Sequence, residues 1–124
     1  MMKKLLLIFL FLNLSNVFAS EFTTNFTLEK FKEAQKNGKT VLVYSWNKYC
    51  GTCAKQKPVL KQAKEDFADI VFLDFEHTKR KDIAEFLNID YWSTIAIYKN
   101  NKQTNLAIGL YKKDDIYSLI KEGI

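Results

Sequence analysis

The chain has 124 residues and a formal net charge of +5, a length that suits one domain able to bury one core. Its basic residues are mostly lysines scattered among acids, as in Lys79-Arg80-Lys81-Asp82, which is the pattern of a solvated surface and argues against a nucleic-acid partner. Two cysteines and one histidine are too few ligands to close a zinc site within one chain.

Met1-Met2-Lys3-Lys4 is a short positive region, and Leu5 to Leu14 is apolar apart from Asn13. Val17-Phe18-Ala19 then offers small residues at the −3 and −1 positions before Ser20. Residues 1–19 therefore read as a secretory signal peptide cleaved after Ala19, with the folded domain over 20–124. The apolar stretch falls short of the roughly 20 residues that a membrane span needs. Losing Lys3 and Lys4 takes the charge of the domain from +5 to +3. A protein with this leader is expected in a periplasm or secreted.

Thr27 caps a helix running through Leu28, Phe31 and Ala34 to Asn37-Gly38, where glycine suits a left-handed terminus. Val41 to Trp46 is apolar and partly β-branched, which predicts a buried strand. Cys50 to about Asp66 reads as a helix with Val59, Leu60, Ala63 and Phe67 on one side and a bend at Pro58. Ile70 to Phe75 is a second strand, Lys79 to Leu87 a short helix, and Thr94 to Tyr98 a third strand. Asn100-Asn101 predicts a hairpin turn into a fourth strand, Gln103 to Ile108. Gly109 ends it, and Lys113 to Glu122 closes the chain as a helix packing through Ile116, Leu119 and Ile120. The expected fold is α/β, a mixed four-stranded sheet flanked by helices on both faces. The first three strands, joined by helical crossovers, are expected to be parallel, and the last two to form a hairpin.

Cys50-Gly51-Thr52-Cys53 follows the first strand. A disulfide there would close almost no loop, so a structural staple would stabilise little. Thiols at that spacing, at the first turn of a helix, suit electron-pair exchange between thiols and disulfides. Trp46, three residues, Cys50-x-x-Cys53, then Pro58 five residues later is a register that resembles the thioredoxin family. The stretch Thr94-Ile95-Ala96-Ile97-Tyr98-Lys99-Asn100-Asn101, Gly109 and the terminal helix are similar too, so the resemblance runs from about Thr27 to the end.

The resemblance implies a redox-active disulfide, Cys50/Cys53, with Cys50 as nucleophile and Cys53 as resolving thiol. It implies substrate contacts from Trp46, Tyr49, Trp92, Ser93 and Thr94, although core or rim packing accounts equally well for Trp46 and Tyr49. Lys48 would add to thiolate stabilisation if its side chain turned inward. His77 reads as a surface-loop histidine. No cofactor and no metal are implied. The expected partners are protein disulfide substrates and a membrane electron donor, and the small size points to a monomer.

The chain departs from the family pattern in three respects. Ser93 stands where the family places a cis-proline facing the cysteines, and a cis bond before a non-proline residue costs about 3 kcal/mol, so Trp92–Ser93 is expected to be trans. Tyr44 stands where many members bury an aspartate, and a tyrosine is a poor base at neutral pH. The inner pair Gly51-Thr52 has neither the proline of common reductants nor the histidine of common oxidants, and the absence of the histidine leans toward a reductant. The expected function is an exported thiol–disulfide oxidoreductase. The alternative is a thioredoxin-fold binding module with low turnover, its aromatics Trp46, Tyr49, Tyr91 and Trp92 meeting a partner, or a dimer bridged by a metal or iron–sulfur cluster through Cys50 and Cys53.

Overall fold

In the computed structural model, Phe22 and residues 24–124 are described; the expected leader and its cleavage point lie outside them. The order is α1 (Leu28–Lys36), β1 (Val41–Trp46), α2 (Gly51–Asp66), β2 (Val71–Glu76), α3 (Lys81–Leu87), β3 (Thr94–Lys99), β4 (Lys102–Ile108) and α4 (Lys113–Gly123). Local chemistry sets most boundaries. Thr27 accepts the Lys30 N–H through its side chain and caps α1. Asn100 and Asn101, at φ 52° and 64°, make the β3–β4 turn. Pro58 sits inside α2, which continues past it to Asp66.

The sheet order is β2-β1-β3-β4. β1 and β2 are parallel, but β3 runs antiparallel to β1 as well as to β4. This corrects the expectation of three parallel strands. An intervening helix lets the chain return in either direction. After the seven residues of α3 the chain re-enters the sheet at the end where β1 leaves it. Ser45 therefore pairs with Thr94 and Val41 with Tyr98. The direction matters for function. A parallel β3 would begin beside Val41, roughly 17 Å of strand away from the cysteines; the antiparallel one begins beside them. No cis peptide bond occurs among the described residues, so Trp92–Ser93 is trans as expected.

Helices cover both faces. Phe31 and Ala34 of α1 and Ile83, Ala84 and Leu87 of α3 pack on Val41, Val43, Leu73, Phe75 and Ala96. Leu60 and Ala63 of α2 and Ile116, Leu119 and Ile120 of α4 pack on Leu42, Tyr44, Trp46, Ile95 and Ile97. The edge strand β2 does not stay open. Asn25 and Phe26 donate their N–H groups to the Asp74 carbonyl, and the Thr24 hydroxyl accepts from the Glu76 N–H. Those bonds occupy an edge that would otherwise template pairing with another chain.

Candidate active site

β1 is buried along all six residues and ends at Trp46, so the chain leaves the sheet pointing outward. Asn47 is buried and holds the turn that follows. Its carboxamide oxygen accepts the Tyr49 N–H at 2.9 Å, and its Nδ2 donates to the Thr78 hydroxyl at 2.7 Å. Glu76 accepts the Lys48 N–H at 3.2 Å and pairs with the Lys79 ammonium. Burial works against its charge, but these donors keep its carboxyl below the usual range. Cys50 is therefore delivered as the N-cap of α2 by two polar side chains anchored in the domain.

Cys50 and Cys53 are joined as a disulfide with Cα atoms 5.2 Å apart. Cys53 is fully buried, while Cys50 is partly exposed. The Cys53 N–H points at Cys50 Sγ, 3.0 Å away. That donor, at the positive end of a 16-residue helix, is an environment that favours a thiolate once the bond is reduced.

An open groove of about 320 Å³ lies beside Cys50, lined by Asp90, Tyr91, Trp92, Ser93 and Ile108. Tyr49 is 79% exposed, Tyr91 62% and Ile108 51%, a concentration of apolar surface around one partly exposed sulfur. Of the expected substrate contacts, Trp92 and Ser93 line the groove and Tyr49 stands exposed next to Cys50 in the chain. Trp46 and Thr94 do not line it. Trp46 is in the core, its indole N–H donating to Asp74 at 2.8 Å and its ring beneath the Lys57 ammonium at 4.2 Å. Thr94 is buried and its hydroxyl reaches the carbonyls of Tyr91 and Trp92. Lys48 is exposed and lies over the Tyr49 ring at 5.0 Å. His77 is half-buried, bonded to the Ile89 carbonyl at 3.0 Å and stacked on Phe75. Among the described residues no three His, Cys, Asp or Glu side chains converge to hold a metal ion.

Two polar residues of this region went unnoticed in the sequence. Asp74 is buried on the α2 side of the sheet, in register with Tyr44. Burial lifts its carboxyl to about 6, against the Trp46 hydrogen bond and the positive charges of Lys64 and Lys57. Tyr44 donates its hydroxyl to the Cys53 carbonyl at 3.3 Å. Burial and the neighbouring Asp74 push the Tyr44 phenol well above its ordinary value, so it stays protonated. Gln56, one turn beyond Cys53, is fully buried and donates to the carbonyls of Ser93 and Leu110. The available signals were an acid inside a buried strand and a polar residue on the buried stripe of α2.

The thioredoxin family model matches residues 22–122. An H-type thioredoxin from Oryza sativa subsp. indica is 30% identical over 88 residues, covering 71% of each chain. A thioredoxin from Rickettsia bellii is 24% identical over 103 residues, covering 82% of this chain and 98% of its own. Among solved structures, a protein described as Trxlp from Edwardsiella tarda superposes with a TM-score of 0.69 at 21% identity, over 75% of this chain and 92% of that one. The fold, the Cys50–Cys53 pair at the start of α2 and the family match agree: this chain belongs to the thioredoxin family and is a thiol–disulfide oxidoreductase.

Proposed function

We propose that the protein is an exported reductant of protein disulfides, acting as a monomer and recharged by a dithiol donor in the membrane. The observation that carries the site reading is the asymmetry of the pair: Cys50 opens onto the groove and Cys53 is buried behind it. The reduced Cys50 thiolate attacks one sulfur of a substrate disulfide. A mixed disulfide forms and the other substrate sulfur leaves as a thiolate. Cys53 loses its proton and attacks Cys50 Sγ, which releases the second substrate thiolate. Two electrons have then passed to the substrate, and Cys50–Cys53 is again a disulfide that the membrane dithiol must reduce.

Tyr44 cannot take the Cys53 proton near neutral pH. We assign that role to Asp74, the buried carboxylate on the same side of the sheet. Glu76, the neighbouring buried acid, is already committed to the Lys48 N–H and to Lys79. Export is supported by the leader pattern of residues 1–19, and the reducing direction by the lack of histidine between the cysteines.

The test is to express the full chain, locate it and measure the mass of its N-terminus, then equilibrate the recovered protein with glutathione buffers. The reading expects export, trimming after Ala19, and a pair that remains largely disulfide in excess reduced glutathione. Retention inside the cell with an intact leader removes the export part. Complete reduction by the same buffer overturns the reducing direction.

A further inference from the structure

We infer that Gln56 is a positioning residue for disulfide exchange, its buried carboxamide fixing the wall of the groove that faces Cys50. The loop over Tyr91, Trp92 and Ser93 has all three carbonyls engaged inward. Ser45 Oγ and Thr94 Oγ1 donate to the Tyr91 carbonyl at 3.1 and 2.8 Å, and Thr94 Oγ1 reaches the Trp92 carbonyl at 3.3 Å. Those bonds come from β1 and β3 and tie the loop to the sheet. The Ser93 carbonyl accepts the Gly109 N–H at 2.9 Å and Gln56 Nε2 at 3.1 Å. Gln56 Nε2 also donates to the Leu110 carbonyl at 2.7 Å. Among the described residues, Gln56 is the one side chain that hydrogen-bonds α2, which carries the disulfide, to this loop.

Two features argue that this bond serves more than stability. Ser93 sits at φ 51°, in the left-handed region that a non-glycine residue occupies at a cost of about 1 kcal/mol or more. With a trans bond and no proline ring to define its shape, the loop keeps that conformation through the groups that hold its carbonyl. Gln56 Oε1 is also buried without a partner among the described residues, a burden that an apolar side chain of the same length would not carry. Glutamine is thus a poor choice for packing alone and a good one for holding two carbonyls 17 residues apart in the chain. The loop presents Trp92 and Ser93 to the groove, so the clamp sets how a docked protein segment is placed relative to Cys50 Sγ.

The inference rests on the groove being the docking site for protein substrates. Gln56→Met removes the clamp and the orphaned oxygen while keeping the volume. It is expected to raise KM for insulin reduction about fivefold to tenfold, the equivalent of roughly one hydrogen bond. The rate toward a small aromatic disulfide, which needs no groove, and the equilibrium with glutathione should stay within about twofold. Amide hydrogen exchange at Trp92 to Thr94 should quicken. Gln56→Leu, which removes the clamp with a different apolar side chain, should raise KM in the same way even if Gln56→Met accumulates poorly, and adding Ser93→Gly, which removes the cost of the left-handed conformation, should restore part of the loss in either. An unchanged KM in either folded variant overturns the inference, as does an equal loss toward insulin and the small disulfide, which would mark a purely structural role. If the wild type reduces insulin without saturation, the groove reading fails first and this inference falls with it.

Discussion

Under α1 and α3 the sheet is packed by rings and aliphatic chains: Phe26 against Phe31 and Phe75, Phe31 edge-on to Tyr98, and Val43, Leu73 and Ile83 around them. Under α2 and α4 the same sheet buries Tyr44, Trp46, Gln56, Asp74 and Cys53, linked by hydrogen bonds that reach the disulfide's helix and the groove loop. Burying polar atoms stabilises less than burying methyl groups, and each face carries some of that cost: Gln56 Oε1 on this side, and Gln35 Oε1 and the Tyr98 hydroxyl on the other, are buried without a partner among the described residues. The comparison assigns different work to the two faces. One holds the domain together, and the other holds a thiol pair in a tuned environment at some cost in stability.

The largest break in this comparison comes from the apolar face. Phe75 is fully buried, and Phe75→Ala should cost about 3–5 kcal/mol by cavity formation. Urea unfolding should register that loss, while the rate of exchange per folded molecule changes by less than about twofold. A selective loss of exchange with stability intact would mean that the faces are not divided in this way.

The smaller and sharper test is Asp74→Asn. The amide keeps an oxygen for the Trp46 indole but cannot ionise. Because the Asp74 carboxyl is raised to about 6 in the fold, the folded state binds its proton more tightly than the unfolded chain does. Its contribution to stability is most favourable below about pH 4 and is lost as pH rises toward 6. Asp74→Asn should therefore gain about 1–2 kcal/mol at pH 7 and little near pH 4, read by urea unfolding across that range. The same substitution should slow release of the mixed disulfide several-fold above pH 6 and flatten its dependence on pH. Lower stability at pH 7 would contradict the burial argument. An unaltered pH profile of release would remove Asp74 from the proton path.

The elements were legible in the sequence because their signals are local. The Thr27 cap, Gly38 at φ 75° and the Asn100-Asn101 turn act within a few residues of themselves. The direction of β3 was not, because pairing with β1 depends on where the chain re-enters the sheet and not on the pattern of Thr94 to Lys99. In the site, the cysteines stood out by their spacing, whereas Trp92 and Ser93 were named only through the resemblance to the thioredoxin family; the structure places both in the wall of the groove. Gln56 was hidden between Lys55 and Lys57, which read as a solvated helix face until Cys53 is counted one turn earlier on the buried side. Asp74 was overlooked inside a strand read as buried, because the pattern of that strand does not say which partners an acid there would meet until Trp46 and α2 are packed against it. Trp46 shows the converse. Its motif position suggested a groove wall, and its hydrogen bond to Asp74 takes it into the core.

The most direct test of the division of labour between the two sulfurs is to trap the intermediate. Reduced Cys53→Ser, mixed with a disulfide-bearing protein such as insulin, should accumulate a covalent adduct through Cys50 that thiols release, because attack proceeds and resolution does not. Reduced Cys50→Ser should accumulate none. Adducts formed by Cys50→Ser and not by Cys53→Ser would reverse the assignment and contradict the account of a partly exposed nucleophile backed by a buried resolving thiol.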